Sequence, residues 1–265
     1  MRALWLTDVH LNFPGKDGRD RFFERLAAHP ADCVLLGGDV GEAPDVVGFL
    51  RRFEATLDVP IYFVLGNHDF YKGSIRAVRE RVRRLAQGSP RLCWLNAEES
   101  VSLTPRTALV GHDSWADGRL GDFDDSPVEL NDFFLIEELQ LMSKPARLAK
   151  MQELAEEAAE HFRRVLPPTL AKHREVLVLT HVPPFRDATW HRGKVSDPDW
   201  LPYFSSKVVG DVLRSVMAAH PRHELTVLCG HTHSSGECRI LPNLRVLTGG
   251  ARYGSPGVER VLELT

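Results

Sequence analysis

The chain has 265 residues, 43% hydrophobic and 26% charged, with a mean hydropathy of -0.21. That composition fits a water-exposed globular protein long enough to bury a core without disulfide staples, and no apolar run is long enough to span a bilayer. Its 33 basic and 36 acidic residues leave a net charge of -3, so no global basic field calls for nucleic acid.

Cys33, Cys93, Cys229 and Cys238 form no C-x-x-C pair, and Cys33 and Cys229 sit in or beside apolar runs. They read as buried, reduced thiols. Met1–Thr7 is too short for a signal peptide ahead of a functional Asp8, so a cytoplasmic location and no membrane partner are expected.

In chain order, Ala3–Leu6 reads as a strand, Asp20–Ala28 as a helix, Cys33–Leu36 as a strand closed by Gly37-Gly38, and Val46–Phe53 as a helix. Ile61–Leu65 is a strand and Ile75–Leu85 an arginine-dense helix whose Ile75, Val78, Val82 and Leu85 form an apolar stripe. Its arginines read as a solvated face. Strand–helix alternation of this kind predicts an α/β fold. Leu92–Leu95, Val101–Leu103 and Ala108–Val110 follow as strands.

From about 115 to 170 the rhythm breaks. An acidic, glycine-containing loop leads into helical stretches at Pro127–Leu141 and Pro145–Leu166, a cap-like helical insertion in what otherwise reads as one domain over 1–265. Glu175–Thr180 resumes the strands, a polar, aromatic loop spans Val182–Ser205, and Lys207–His220 is helical. Leu225–Cys229, Glu237–Ile240, Leu244–Thr248 and Gly257–Leu264 close the chain as strands.

Metal-binding side chains recur at the ends of these strands. Asp8 and His10 follow the first, Asp39 the second and Asn67-His68-Asp69 the third; His181 follows Thr180, and His231 and His233 follow Cys229. The C-terminal edge is where open α/β sheets bind ligands. One such residue alone would be a helix cap, a turn or a packed histidine. Repetition at five strand ends defeats that reading.

The motifs D-V-H (8–10), G-D-V-G-E (38–42), G-N-H-D (66–69), T-H-V-P-P (180–184) and G-H-T-H (230–233) resemble, in order, those of the calcineurin-like metallophosphoesterase superfamily. The resemblance implies a four-layer αββα sandwich of two mixed sheets and two divalent metals about 3.5–4 Å apart. It assigns Asp8, His10 and His233 to one metal, Asn67, His181 and His231 to the other, and Asp39 to both. Imidazole and carboxylate ligands without cysteine suit Mn²⁺, Fe²⁺ or Zn²⁺, with Mn²⁺ favoured.

The implied reaction is hydrolysis of a phosphomonoester or phosphodiester by a metal-bridging hydroxide. His68, a non-ligand in the pattern, would face the phosphate as a cation or general acid, oriented by Glu42 or Asp69. Glu42 followed by Ala43-Pro44 departs from the protein-phosphatase pattern and stands where purple acid phosphatases carry a ligating tyrosine. A small bacterial-type phosphoesterase acting on a small or nucleotide-like ester remains; a nuclease and a non-catalytic scaffold are the alternatives.

Substrate contacts are less legible. Arg119, His191 and Arg252 are weak candidates for phosphate contacts, Trp115 and Trp190 read as loop anchors, and His112 as a packing residue. The apolar stripe of Pro145–Leu166 reads as core, with a homodimer surface as the alternative.

Overall fold

Alternate residues of the first strand, β1 (Arg2–Leu6), serve two different cores: Leu4 and Leu6 face one cluster, Ala3 and Trp5 another. β2 (Cys33–Gly37) repeats the pattern, with Val34 and Leu36 on one side and Cys33 and Leu35 on the other. Strands buried on both faces read as continuous apolar runs, as parallel strands covered by layers on each side do.

The computed structural model describes residues 1–265. β1, β2, β3 (Ile61–Val64) and β4 (Leu92–Trp94) run parallel, with β13 (Arg260–Glu263) antiparallel beside β1. Helices α1 (Lys16–Ala27), α2 (Val46–Thr56) and α3 (Ile75–Gln87) supply Phe22, Leu26, Leu50, Phe53 and Val82 to the outer core of this sheet.

The second sheet has the order β11–β12–β10–β7–β6–β5: Gly236–Leu241, Leu244–Thr248, Glu224–Cys229, Glu175–Thr180, Thr107–His112 and Val101–Ser102. Its four central strands are parallel and its two edge strands antiparallel. Leu177, Leu179, Leu228 and Leu247 meet Trp5 and Leu35 between the sheets. Val176, Val178, Leu225 and Val227 face outward, onto α5 (Lys144–Leu170) and α7 (Lys207–Ala219). The architecture is the αββα sandwich of two mixed sheets.

The insertion divides in two. The Ala158, Phe162, Val165 and Leu166 stripe of α5 packs on the second sheet beside Leu213 and Met217 of α7, so this half is an outer layer rather than a cap. The stretch before it is not the helix expected over Pro127–Leu141; only α4 (Asp132–Leu135) is helical. Its backbone bonds to another segment instead. Lys72 N donates to Leu135 O (2.7 Å) and Glu137 N to Gly73 O (3.0 Å), while the Glu138 carboxylate accepts from Ile75 N (2.8 Å) and Arg76 N (3.0 Å) at the start of α3. Those external partners leave no helical ladder to complete. No helix is long and apolar enough to cross a membrane, and all four cysteines are free thiols.

Candidate metal centre

The parallel strands of both sheets end at one edge, and each delivers a polar side chain within a few residues. Five of those residues have backbones in the left-handed region: Asp8 (φ 50°), His10 (42°), Asp39 (51°), His231 (69°) and His233 (58°). Asp and His tolerate this region better than most residues, yet each costs roughly 1 kcal/mol or more. The turns are held by neighbours. Asp8 N donates to Gly38 O (3.1 Å), His10 N to Asp39 O (2.9 Å), and His231 N to the Asp8 carboxylate (2.9 Å). Glycine is required where backbones meet: a Cβ on Gly66 would lie 2.1 Å from Asp39 Oδ1, and one on Gly230 1.9 Å from Asp8 Oδ2.

Two sets of donor atoms result. In the first, Asp8, His10, Asp39 and His233 place ligand atoms within 4.8 Å of one another, with His10 Nε2 3.0 Å from His233 Nε2. In the second, Asn67 Oδ1 lies 3.1 Å from His181 Nε2 and 3.0 Å from His231 Nδ1. The Asp39 carboxylate stands between them, Oδ2 3.6 Å from His10 Nε2 and Oδ1 3.5 Å from His181 Nε2.

Backbone carbonyls fix the tautomers. His181 Nδ1–H donates to Gly37 O (2.9 Å) and His231 Nε2–H to Tyr203 O (3.0 Å), leaving the other ring nitrogen of each as a lone pair aimed inward. Burial keeps these rings neutral: it pushes His10 and His231 down to about 3, and His181 below its ordinary value.

The carboxylates show why cations fit. Burial, with the neighbouring Asp8 and Asp69 charges, raises the Asp39 carboxyl well above the usual range. Burial acts the same way on Asp8, but His233, His181 and His10 outweigh it and hold that carboxyl low. Two acids among neutral imidazoles cannot both ionise cheaply; divalent cations between them remove the conflict.

Residues 1–235 match the calcineurin-like phosphoesterase family. The chain belongs to that family. Among solved structures it is similar to a dimetal phosphatase from Danio rerio (18% identity, TM-score 0.58, covering 94% of this chain and 87% of that one). It is also similar to phosphopantetheinyl hydrolase from Mycobacterium tuberculosis (15%, 0.63, 95% and 89%) and to the anchor in the inner membrane complex of Plasmodium (12%, 0.54, 94% and 71%). Identities this low carry the fold alone. No curated protein matches by sequence.

In this calcineurin-like chain His68 lies beside the donors without joining them. Its ring stacks on Tyr71 (4.2 Å between centroids, 27°) and meets the His10 ring at 4.6 Å, and burial holds it well below the ordinary histidine range. The orientation expected from Glu42 or Asp69 is corrected, because both carboxylates are used elsewhere. Glu42 pairs with Lys72 Nζ (2.6 Å). Asp69 accepts from Gly41 N and Gly66 N, both 2.9 Å, and so ties the G-D-V-G and G-N-H-D turns together; burial raises its carboxyl to about 7.

A cleft of about 510 Å³ opens beside the donors. It takes in His191 but not Arg119 or Arg252. Arg119 is held by Asp117 (3.1 Å) and Glu156 (2.8 Å), and Arg252 is exposed on a separate depression beside Asp8. Trp115 is buried against Phe70, Trp190 covers Gly236, and His112 packs on His161 and Phe162. Arg79 is no solvated arginine: its guanidinium reaches the buried Asp113 (3.3 Å), which also accepts from Leu65 N (2.7 Å) behind the G-N-H-D turn.

Three participants escaped sequence reasoning. Asp132 Oδ1 accepts from Asn67 Nδ2 (2.8 Å) and Tyr71 OH (2.6 Å), which turns Asn67 Oδ1 toward the histidines. It lies in the insertion, where no motif marks it. Tyr253 covers the mouth, its ring 4.7 Å from His10 and 4.9 Å from His233. It follows β12 at the same sheet edge, so the strand-end rule would have found it. Trp200, in the loop after His181, lines the cleft.

Proposed function

We propose that the chain hydrolyses a small phosphomonoester or phosphodiester at a dinuclear centre, with Asp8, His10 and His233 holding one ion, Asn67, His181 and His231 the other, and Asp39 bridging both. The carrying observation is the Asp39 carboxylate between two donor sets, one oxygen toward each. Divalent transition metals, Mn²⁺ favoured, supply when bound an activated water and neutralisation of charge on the phosphoryl oxygens.

The chain's own groups do the rest. His181 and His231 are pre-oriented by Gly37 and Tyr203 carbonyls, so the lone pairs need no reorganisation. Asn67 contributes a neutral oxygen, fixed by Asp132, which leaves net positive charge for an anionic ester. The Tyr71 stack fixes the plane of the His68 ring at the cleft wall. From that wall a protonated His68 would give its proton to the leaving oxygen. A scaffold without chemistry has no need of five left-handed backbones and carbonyl-locked imidazoles. A net charge of -3 and a cleft of about 510 Å³ favour a small ester over a nucleic-acid strand.

The test is turnover of aryl phosphate mono- and diesters, cyclic nucleotides and pyrophosphate-linked nucleotides, each with Mn²⁺, Ni²⁺, Zn²⁺ and Mg²⁺. Metal-dependent release from at least one ester class is expected. Two bound ions with no turnover of any ester would defeat the reading.

A further inference from the structure

The cleft wall beyond the donors is a built surface rather than loop packing. Phe204 meets the cage residue His231 edge-on (5.3 Å, 88°), and Trp200 stacks on Phe204 (5.1 Å, 26°). His191 stands edge-on to both, 5.1 Å from each. A continuous aromatic shelf thus runs outward from His231, and Trp200 at its outer end is only half-buried.

Beside the shelf, Arg192 sits at the tip of a hairpin between β8 (Trp190–His191) and β9 (Lys194–Val195). Arg192 (φ 51°) and Gly193 (φ 78°) are both left-handed, the pattern of a tight two-residue hairpin turn. The root is anchored: Trp190 lies so close over Gly236 that a Cβ there would come within 2.2 Å of Nε1. Arg192 itself is exposed and joins none of the chain's ion pairs or side-chain hydrogen bonds. The other charged wall residues are satisfied, Glu129 by Arg147 (2.8 Å) and Asp132 by Asn67 and Tyr71. Arg192 is the unpaired cation of the cleft.

We propose that this wall selects an ester whose leaving group carries a flat unsaturated ring and a second negative charge, the ring lying against Trp200, which Phe204 backs, and the charge meeting Arg192. The proposal rests on the phosphoesterase reading of the cage. Flat rings stack on aromatic faces irrespective of their hydrogen-bonding pattern, and guanidinium recognises phosphate and carboxylate alike. A nucleoside with a second phosphate and an aryl phosphate with an anionic substituent share this chemistry.

The test compares kcat/KM of the Mn²⁺-loaded enzyme for glycerol 3-phosphate, phenyl phosphate, 4-carboxyphenyl phosphate, adenosine 5′-monophosphate and adenosine 3′,5′-bisphosphate. The ring should raise kcat/KM roughly 10- to 100-fold, and the second charge about 10-fold more. Whether the carboxyphenyl ester or the bisphosphate gains more tells the two sources apart. Trp200→Ala should depress the ring-bearing esters at least 10-fold more than glycerol phosphate, and Arg192→Ala should erase only the increment from the second charge. Equal kcat/KM across the panel, or variants that depress every ester alike, would overturn the proposal. Adenosine 3′,5′-bisphosphate should also quench tryptophan fluorescence, and Trp200→Leu should abolish the quench. That arm decides the shelf even without turnover, an outcome that would remove the phosphoesterase reading instead; a quench surviving in Trp200→Leu overturns the shelf.

Discussion

The cage and the wall of the cleft are built on opposite principles. Cage residues leave the ends of parallel strands within a few positions, five of the seven adopt costly backbone angles, and carbonyls and carboxylates on two sheets hold them. Wall residues come mostly from the segments at 115–141 and 182–205, which join neither large sheet and present their side chains from short hairpins, turns and single helical turns. On the proposed function the sheets would set the reaction and the loops the choice of ester, so changes to each should fail in different ways.

The largest expected effect is at the centre of the cage. Asp39→Asn should lower kcat/KM by roughly 10³-fold or more, because one oxygen serves each donor set; metal content by plasma mass spectrometry should fall with it. His68→Ala should lower kcat by roughly 10²- to 10⁴-fold while the protein retains two ions, which separates a proton-transfer role from ligation. Retained activity in that variant would remove His68 from the mechanism.

Asp132→Ala tests the point where the two regions touch. Without that carboxylate the Asn67 amide loses its orientation, and affinity for one of the two ions should fall roughly 10- to 100-fold in a metal titration. An unchanged titration would show that the wall does not reach into the cage.

The smallest effect lies outside both regions. Burial pushes His161 down to about 4, from about 6.5 when unfolded. The folded value is the lower one, so the contribution to stability is present above pH 6.5 and lost as the pH falls through 4. Thermal unfolding between pH 7 and 4 should show an acid-side loss that is smaller in His161→Gln by on the order of 2 kcal/mol, the remainder coming from the other histidines that burial holds low. An equal slope in the variant would assign the loss to other groups.

How much of this is legible in the sequence follows from the same contrast. Asp8, His10, Asp39, Asn67, His181, His231 and His233 each sit beside the strand that positions them, so strand ends mark them as candidates, and the resemblance of the motifs separates Asn67 from His68 and Asp69. Asp132 is 65 residues from the Asn67 it orients, and local pattern cannot encode that contact. Pro127–Leu141 has helical composition, but its backbone bonds to residues 72 and 73 and its Glu138 carboxylate to the backbone of residues 75 and 76, a tertiary choice that overrides propensity. Arg119 looked available for phosphate because its partners, Asp117 and Glu156, become visible only in three dimensions.

On the proposed function, two ions held by this cage confer phosphoester hydrolysis. It is tested most directly by titrating metal-free protein with Mn²⁺ and reading bound metal by equilibrium dialysis and ester turnover in the same samples. Saturation at two ions per chain is expected, with activity appearing only as the second is bound; activity that is complete at one ion, or binding that stops there, would rule out dinuclear hydrolysis.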